Sequence, residues 1–220
     1  MALQDFRAAI VDLDGTLVDT LGDFEVALNL TFADLGLPSA SRHAVSLAIG
    51  KGSEHLIRTL LGPAKQHLYI RAWDHYQAHY QNINGQHSDV FEGVIEGLER
   101  LLRAQWRLAC LTNKPVDFAR ELLRLKGLEP YFQAVFGGDS FERKKPDPLP
   151  VRATCQALGT LPERTLMVGD SRNDALAANG AGCEVVLMRY SYNHGEPVES
   201  VPALAYLDRL DDLPHEWWAN

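Results

Sequence analysis

Asp12-Leu13-Asp14-Gly15-Thr16 sets two carboxylates at i and i+2 directly after the apolar run Ala8-Ala9-Ile10-Val11. Successive side chains on a strand point to opposite faces, so both acids reach one pocket only if the backbone turns between or just after them. Gly15 permits that turn. Two carboxylates held close repel, and a bound divalent cation relieves the repulsion while leaving one acid free to carry a proton. An Asp-Gly pair after a strand is by itself ordinary turn chemistry. A turn, however, requires neither the second Asp upstream nor the hydroxyl of Thr16.

Three further clusters follow apolar runs. Thr112-Asn113 comes after Leu108-Ala109-Cys110-Leu111. Its hydroxyl and amide suit phosphoryl oxygens as well as they suit a helix N-cap. Arg143-Lys144-Lys145-Pro146-Asp147-Pro148 sets basic residues in a proline-bracketed turn. Lys145, beside the rigid Pro146, is better placed to neutralise an anion than Lys144, which suits a solvated face. Gly169-Asp170-Ser171-Arg172-Asn173-Asp174 follows Leu166-Met167-Val168. It puts Asp170 at a strand end and Asp174 in the first helical turn, where an acid also complements the helix dipole.

The elements that position these clusters read as an α/β chain. Residues 7–13 form a continuous apolar run, the pattern of a parallel strand covered on both faces. From Leu21 to about Gln81 no strand is evident; helical periodicity appears at 21–35, 41–48, 53–61 and 63–80. After Asn82-Ile83-Asn84-Gly85 the pattern alternates: helices at 94–104, 116–126, 149–158 and 174–180, and strands at 107–111, 134–136, 165–168 and 184–188. Alternation of this kind implies a Rossmann-like parallel sheet with helices on both faces and ligands at the carboxyl ends of the strands. Residues 1–17 and 86–220 are expected to form that core, and 18–85 an inserted α-helical cap.

The 220 residues suit one such core with a small insertion. With 21 basic against 29 acidic residues the formal charge is −8, which argues against binding nucleic acid or an anionic membrane. Cys110, Cys155 and Cys183 lack metal-like spacing and read as buried thiols of a reducing compartment. Neither a leader pattern nor an apolar run near 18 residues is present, so a cytoplasmic location is expected. His43, His55, His67, His75, His79 and His87 crowd the cap. His75 and His79 share a helix face at i, i+4, but no acidic partner is evident for them, and exposed helix surface is the expected reading. Trp217-Trp218 suit either a core cover or an oligomer contact.

Asp12-x-Asp14-Gly15-Thr16, Thr112-Asn113, Lys145-Pro146-Asp147 and Gly169-Asp170-x-x-x-Asp174 together resemble, in order, the four motifs of the haloacid-dehalogenase-like phosphohydrolases. The resemblance spans nearly the whole chain. Gly169-Asp170-Ser171-Arg172-Asn173-Asp174, Gly50-Lys51-Gly52 and Tyr192-Asn193-His194-Gly195-Glu196-Pro197 are similar to the bacterial phosphoglycolate phosphatases within that superfamily. His194 stands where the family usually shows Tyr, and Lys51 occupies a variable position.

The resemblance implies Asp12 as nucleophile, Asp14 as general acid and base, and Thr112 and Lys145 as stabilisers of the transferring oxygens, with the Asn113 backbone beside them. Mg²⁺ is implied on Asp12, the Asp14 carbonyl and Asp170, with Asp174 contacting it through water or orienting Lys145. Gly50, Lys51 and Gly52 are implied in leaving-group recognition, Lys51 as partner of a substrate carboxylate. Retention of Asp14 separates the chain from dehalogenases, whose halide leaves without a proton. The implied substrate is a small phosphomonoester, 2-phosphoglycolate first, turned over by a monomer or homodimer. A sugar-phosphate or nucleotide phosphatase, a phosphomutase, a receiver-like signalling module and a catalytically dead binding protein are the alternatives.

Overall fold

Strand β1 (Ala8–Val11) is buried along its whole length. Its side chains divide by parity: Ala8 and Ile10 join one apolar cluster, Ala9 and Val11 another. A strand that feeds two cores must lie in the middle of a sheet. The computed structural model, which describes residues 5–190 and 192–217, puts it there.

From β1 the chain passes through the short β2 (Val18–Asp19) into four helices, α1 (Leu21–Asp34), α2 (Arg42–Ala48), α3 (Ser53–Leu61) and α4 (Tyr69–Ile83), and returns through β3 (Asp89–Val90). Alternation then begins with α5 (Val94–Arg103), β4 (Arg107–Leu111), α6 (Val116–Leu125) and β5 (Ala134–Phe136). It continues with α7 (Leu149–Leu158), β6 (Thr165–Gly169), α8 (Arg172–Ala181), β7 (Glu184–Met188) and β8 (Ala205–Leu207). The six-stranded sheet has the order β5-β4-β1-β6-β7-β8, and every pairing is parallel. Val94, Leu98 and Leu101 of α5, with Ala119, Leu122 and Leu123 of α6, cover one face. Val151, Cys155 and Leu158 of α7, with the alanines of α8, cover the other.

The four inserted helices keep a core of their own, built on Phe24, Leu28, Val45, Leu56, Ile57, Tyr76 and Tyr80. They meet the sheet domain through the antiparallel β2–β3 ribbon, where Val18 pairs with Val90 and Asp19 with Asp89. Buried Asp23 secures the return: its carboxylate accepts from His87 N at 2.7 Å and from Gly85 N at 2.8 Å.

Several expected bounds change. The strand expected over 7–13 stops at Val11, because the Leu13 carbonyl is taken by the amides of Leu17 and Val18 in the turn that follows. The helix expected over 63–80 is a 3₁₀ segment, Pro63–Leu68, running into α4. α8 starts two residues early, since Ser171 caps it. β2, β3 and β8 are too short to leave a periodic pattern. The three cysteines are free and buried. Trp217 is buried edge-on against Phe6, with ring centroids 5.7 Å apart; Trp218 lies outside the described residues. His75 and His79 do have an acidic partner, contrary to the sequence reading: Asp34 of α1 accepts from both, at 3.0 and 2.7 Å. It lies far from both histidines in the chain, so helix spacing gave no sign of it.

Candidate active site

The carboxyl ends of β1, β4 and β6 lie side by side and bring Asp12, Thr112 and Asp170 to one edge of the sheet. Asp12 is the first residue past β1. Its Oδ1 accepts from Leu13 N at 2.7 Å and from Lys145 Nζ at 3.0 Å, while Oδ2 takes no hydrogen bond among the described residues. The turn that brings Asp14 back to the same pocket runs through Gly15 at φ +83°. A Cβ on Gly15 would lie 2.4 Å from Asp170 Oδ2, so glycine is required both by the backbone angle and by the acid packed against it.

Lys145 is buried and uses all three of its ammonium hydrogens: on Asp12, on Asp174 Oδ1 at 2.6 Å and on the Leu111 carbonyl at 2.8 Å. Burial opposes its charge, but Asp12 and Asp174 more than offset this and raise its pKa. Asp174 is fully buried; its second oxygen accepts from the Ser171 hydroxyl at 2.8 Å and the Ser171 amide at 3.1 Å, closing the capping box that starts α8. With both oxygens occupied, Asp174 aims Lys145 and shapes the loop. Asp170 Oδ2 accepts from Tyr192 N at 3.0 Å.

Asp12, Asp170 and Asp174 present carboxylate oxygens all within 4.8 Å of one another. Burial, only partly countered by Lys145 and reinforced by Asp174, pushes Asp12 up to about 7. Burial together with Asp174 and Asp12 holds Asp170 well above the usual carboxylate range. Three buried acids facing one ammonium form an under-neutralised, all-oxygen donor set, which fits a hard divalent cation such as Mg²⁺.

Thr112 and Asn113 follow β4. Thr112 is buried, and its hydroxyl oxygen accepts from Lys114 N at 3.2 Å. The Asn113 side-chain amide donates to the Lys145 carbonyl at 2.9 Å and to the Gly50 carbonyl at 3.0 Å. Asn173 also donates to the Gly50 carbonyl, at 3.2 Å, so two core amides hold the cap loop at one main-chain oxygen. His194 supports that loop with its ring on the Leu47 carbonyl at 3.3 Å.

The sequence reading missed one buried group. Lys114 Nζ lies 2.8 Å from Asp14 Oδ1, and its side chain is 1% exposed. The ammonium sits 4.5 Å from the centroid of Phe24 and 4.9 Å from that of Tyr80, both cap residues. An inner cavity of about 20 Å³ lies between core and cap, lined by Asp12, Asp14, Thr112, Lys114, Phe24 and Ser53 among others. Gly50 and Gly52 line it too, but Lys51 does not. Half-buried Lys51 lines an outer cavity of about 560 Å³ with His55, Arg58 and exposed Lys144. Lys145 and Asn173 line the same outer cavity, so Lys51 shares a space with the buried lysine on Asp12 without lining the inner one.

A parallel sheet with acids past β1 and β6 and a threonine past the adjacent β4, under inserted helices, defines a phosphoryl-transfer type of hydrolase site. The chain belongs to the haloacid dehalogenase-like hydrolase family, whose model matches residues 9–188. It is 39% identical over 213 residues to the phosphoglycolate phosphatase of Thiobacillus denitrificans, covering 90% of this chain and 92% of that one. It is 40% identical over 210 residues to the plasmid-borne phosphoglycolate phosphatase of Cupriavidus necator, covering 94% and 91%. A crystal structure of a predicted phosphoglycolate phosphatase from Haemophilus somnus superposes with a TM-score of 0.90 at 31% identity, covering 95% of this chain and 96% of that one.

Proposed function

We propose that this protein is a Mg²⁺-dependent phosphatase that converts 2-phosphoglycolate to glycolate and phosphate through a phosphoryl group carried on Asp12, with residues 18–85 acting as its cap. The observation that carries this reading is the division of labour between two neighbouring acids. Asp12 has an unencumbered Oδ2 and a lysine on Oδ1, whereas Asp14 stands on the cavity side against Lys114.

In this reading Asp12 Oδ2 attacks phosphorus, the P–O ester bond breaks, and Asp14 gives its proton to the departing alkoxide. Asp14 then takes a proton from water as that water attacks phosphorus, and the Asp12 carboxylate leaves with phosphate released. Lys145 keeps Asp12 aimed, and the Thr112 hydroxyl with the Asn113 backbone stabilises the equatorial oxygens. The Asp12 and Asp170 carboxylates and the Asp14 main-chain carbonyl would hold Mg²⁺, with Asp174 acting through Lys145. The ion supplies positive charge to the transferring oxygens.

No helix among the described residues is long and apolar enough to cross a membrane. We place the enzyme in the cytoplasm, as a monomer or homodimer. The direct test is Asp12→Asn. Phosphate release from 2-phosphoglycolate is expected to fall by about a thousandfold or more, with the circular-dichroism spectrum unchanged. A folded variant that keeps near wild-type turnover removes Asp12 from the nucleophile role.

A further inference from the structure

Resting on the phosphatase reading, we infer that Lys114, and not the cap-loop Lys51, forms a carboxylate-binding subsite that reads an acid group on the carbon bearing the ester oxygen.

Lys114 is a fully desolvated cation whose hydrogen-bond acceptor among the described residues is Asp14 Oδ1. An ammonium has three donors, so two remain for another acceptor on the cavity side. The surroundings are apolar and aromatic: Phe24 and Tyr80 face the ammonium, and Phe24, Ile49 and Leu56 line the cavity. Aromatic faces stabilise a cation without neutralising it, and a buried charge with spare donors in such a place is costly until an anion completes it. The Tyr80 hydroxyl, also buried, is without a hydrogen-bond partner among the described residues.

Position sets the length of the ligand. Asp14 contacts the leaving oxygen in the proposed chemistry, and Lys114 contacts Asp14. The ammonium is therefore within about 8 Å of that oxygen, two hydrogen-bond lengths plus the width of the carboxylate. A carboxylate joined through one carbon falls inside this radius. Because Phe24 and Tyr80 come from the cap while Lys114 comes from the core, the subsite is complete only when the cap is down. Lys51, which lines the outer cavity and not the inner one, adds positive charge to the approach.

The test compares kcat/KM for 2-phosphoglycolate with that for 2-hydroxyethyl phosphate, a tail of the same length without charge, using the full chain with Mg²⁺. Wild type is expected to prefer the carboxylate. Lys114→Met is expected to lower kcat/KM for 2-phosphoglycolate by about a hundredfold, the scale of removing one partner of a buried charge pair, and the neutral ester by less than tenfold. Lys114→Arg, which keeps the charge, retains a preference, and Lys51→Met changes the ratio less than Lys114→Met does. Should the methionine variant not fold, Lys114→Gln gives the same readout. Equal losses on both esters overturn the inference, as does a larger change of ratio in Lys51→Met. A wild type that hydrolyses both esters equally overturns it while leaving the phosphatase reading standing; one that hydrolyses neither overturns both.

Discussion

Asp14 and Asp12 are two residues apart and carry the same functional group, yet their surroundings separate them. Asp12 is fixed by a main-chain amide and Lys145; Asp14 is paired with an ammonium that belongs to the cavity wall. If Asp14 protonates the leaving group, Asp14→Asn should lose most on alkyl phosphates and least on p-nitrophenyl phosphate, whose leaving group departs without help. Equal losses would remove the acid role.

The elevated carboxyls also predict a pH signature. In the metal-free protein Asp12 binds its proton up to about pH 7, far above the 3.8 of a free side chain. The folded state then holds more protons than the unfolded one between those values, so stability falls as pH rises through this window. Mg²⁺ needs the ionised acids, and its apparent affinity weakens by about tenfold per pH unit below 7 for each proton displaced. The rise in Tm on adding Mg²⁺ should accordingly be small at pH 5.5 and large at pH 8; a pH-independent rise would contradict this assignment of charge. Asp12, Asp14, Thr112 and Asp170 were legible in the sequence because each comes just after an apolar strand, Lys145 because a proline follows it, and Asp174 because it stands four residues after Asp170. Lys114 was equally marked, as Lys114-Pro115 after β4 mirrors Lys145-Pro146. It was passed over because the Thr112-Asn113 pair before it already reads as a complete turn.

At the level of elements, long periodic segments declared themselves and short ones did not. The bounds of α7 and β4 follow from sustained apolar spacing, whereas β2 and β3, at two residues each, carry no period at all. The segment leading into β3 is held by Asp23, whose role is tertiary: a helix residue whose carboxylate binds two amides more than sixty positions away. Asp23→Ala takes the acceptor from the part-buried amides of Gly85 and His87 and is expected to cost about 1–3 kcal/mol, read as a lowered urea midpoint. Asp23→Asn, which still accepts one such bond, should cost less. An alanine variant as stable as wild type would show that the return loop finds other partners. Gly15→Ala belongs to the same scale. Its Cβ would displace Asp170, so Mg²⁺ affinity should drop together with activity, measured by titration of the ion.

For the whole molecule, the inner cavity of about 20 Å³ holds little more than a water, so the substrate enters only after the cap lifts. The β2–β3 ribbon is where the chain crosses between the two cores, which makes it the place for the bend. Hydrogen exchange at residues 49–53 should slow when Mg²⁺ and orthovanadate are added together, and Asn173→Ala, which removes one of the two amides on Gly50, should blunt that protection. An unchanged exchange rate would mean that the loop does not travel with the cap.

The hold on Gly50 has one more consequence. Asn113 and Asn173 grip a carbonyl oxygen, an atom that every amino acid supplies, so the docking contact makes no demand on the side chains that face the substrate. Closing and choosing are thus written in different atoms. A chimera given another cap of the same backbone course should still shut on this core, keeping the acid preference of Lys114 while altering what the cap side chains admit around it, and that separation makes the insertion a replaceable part.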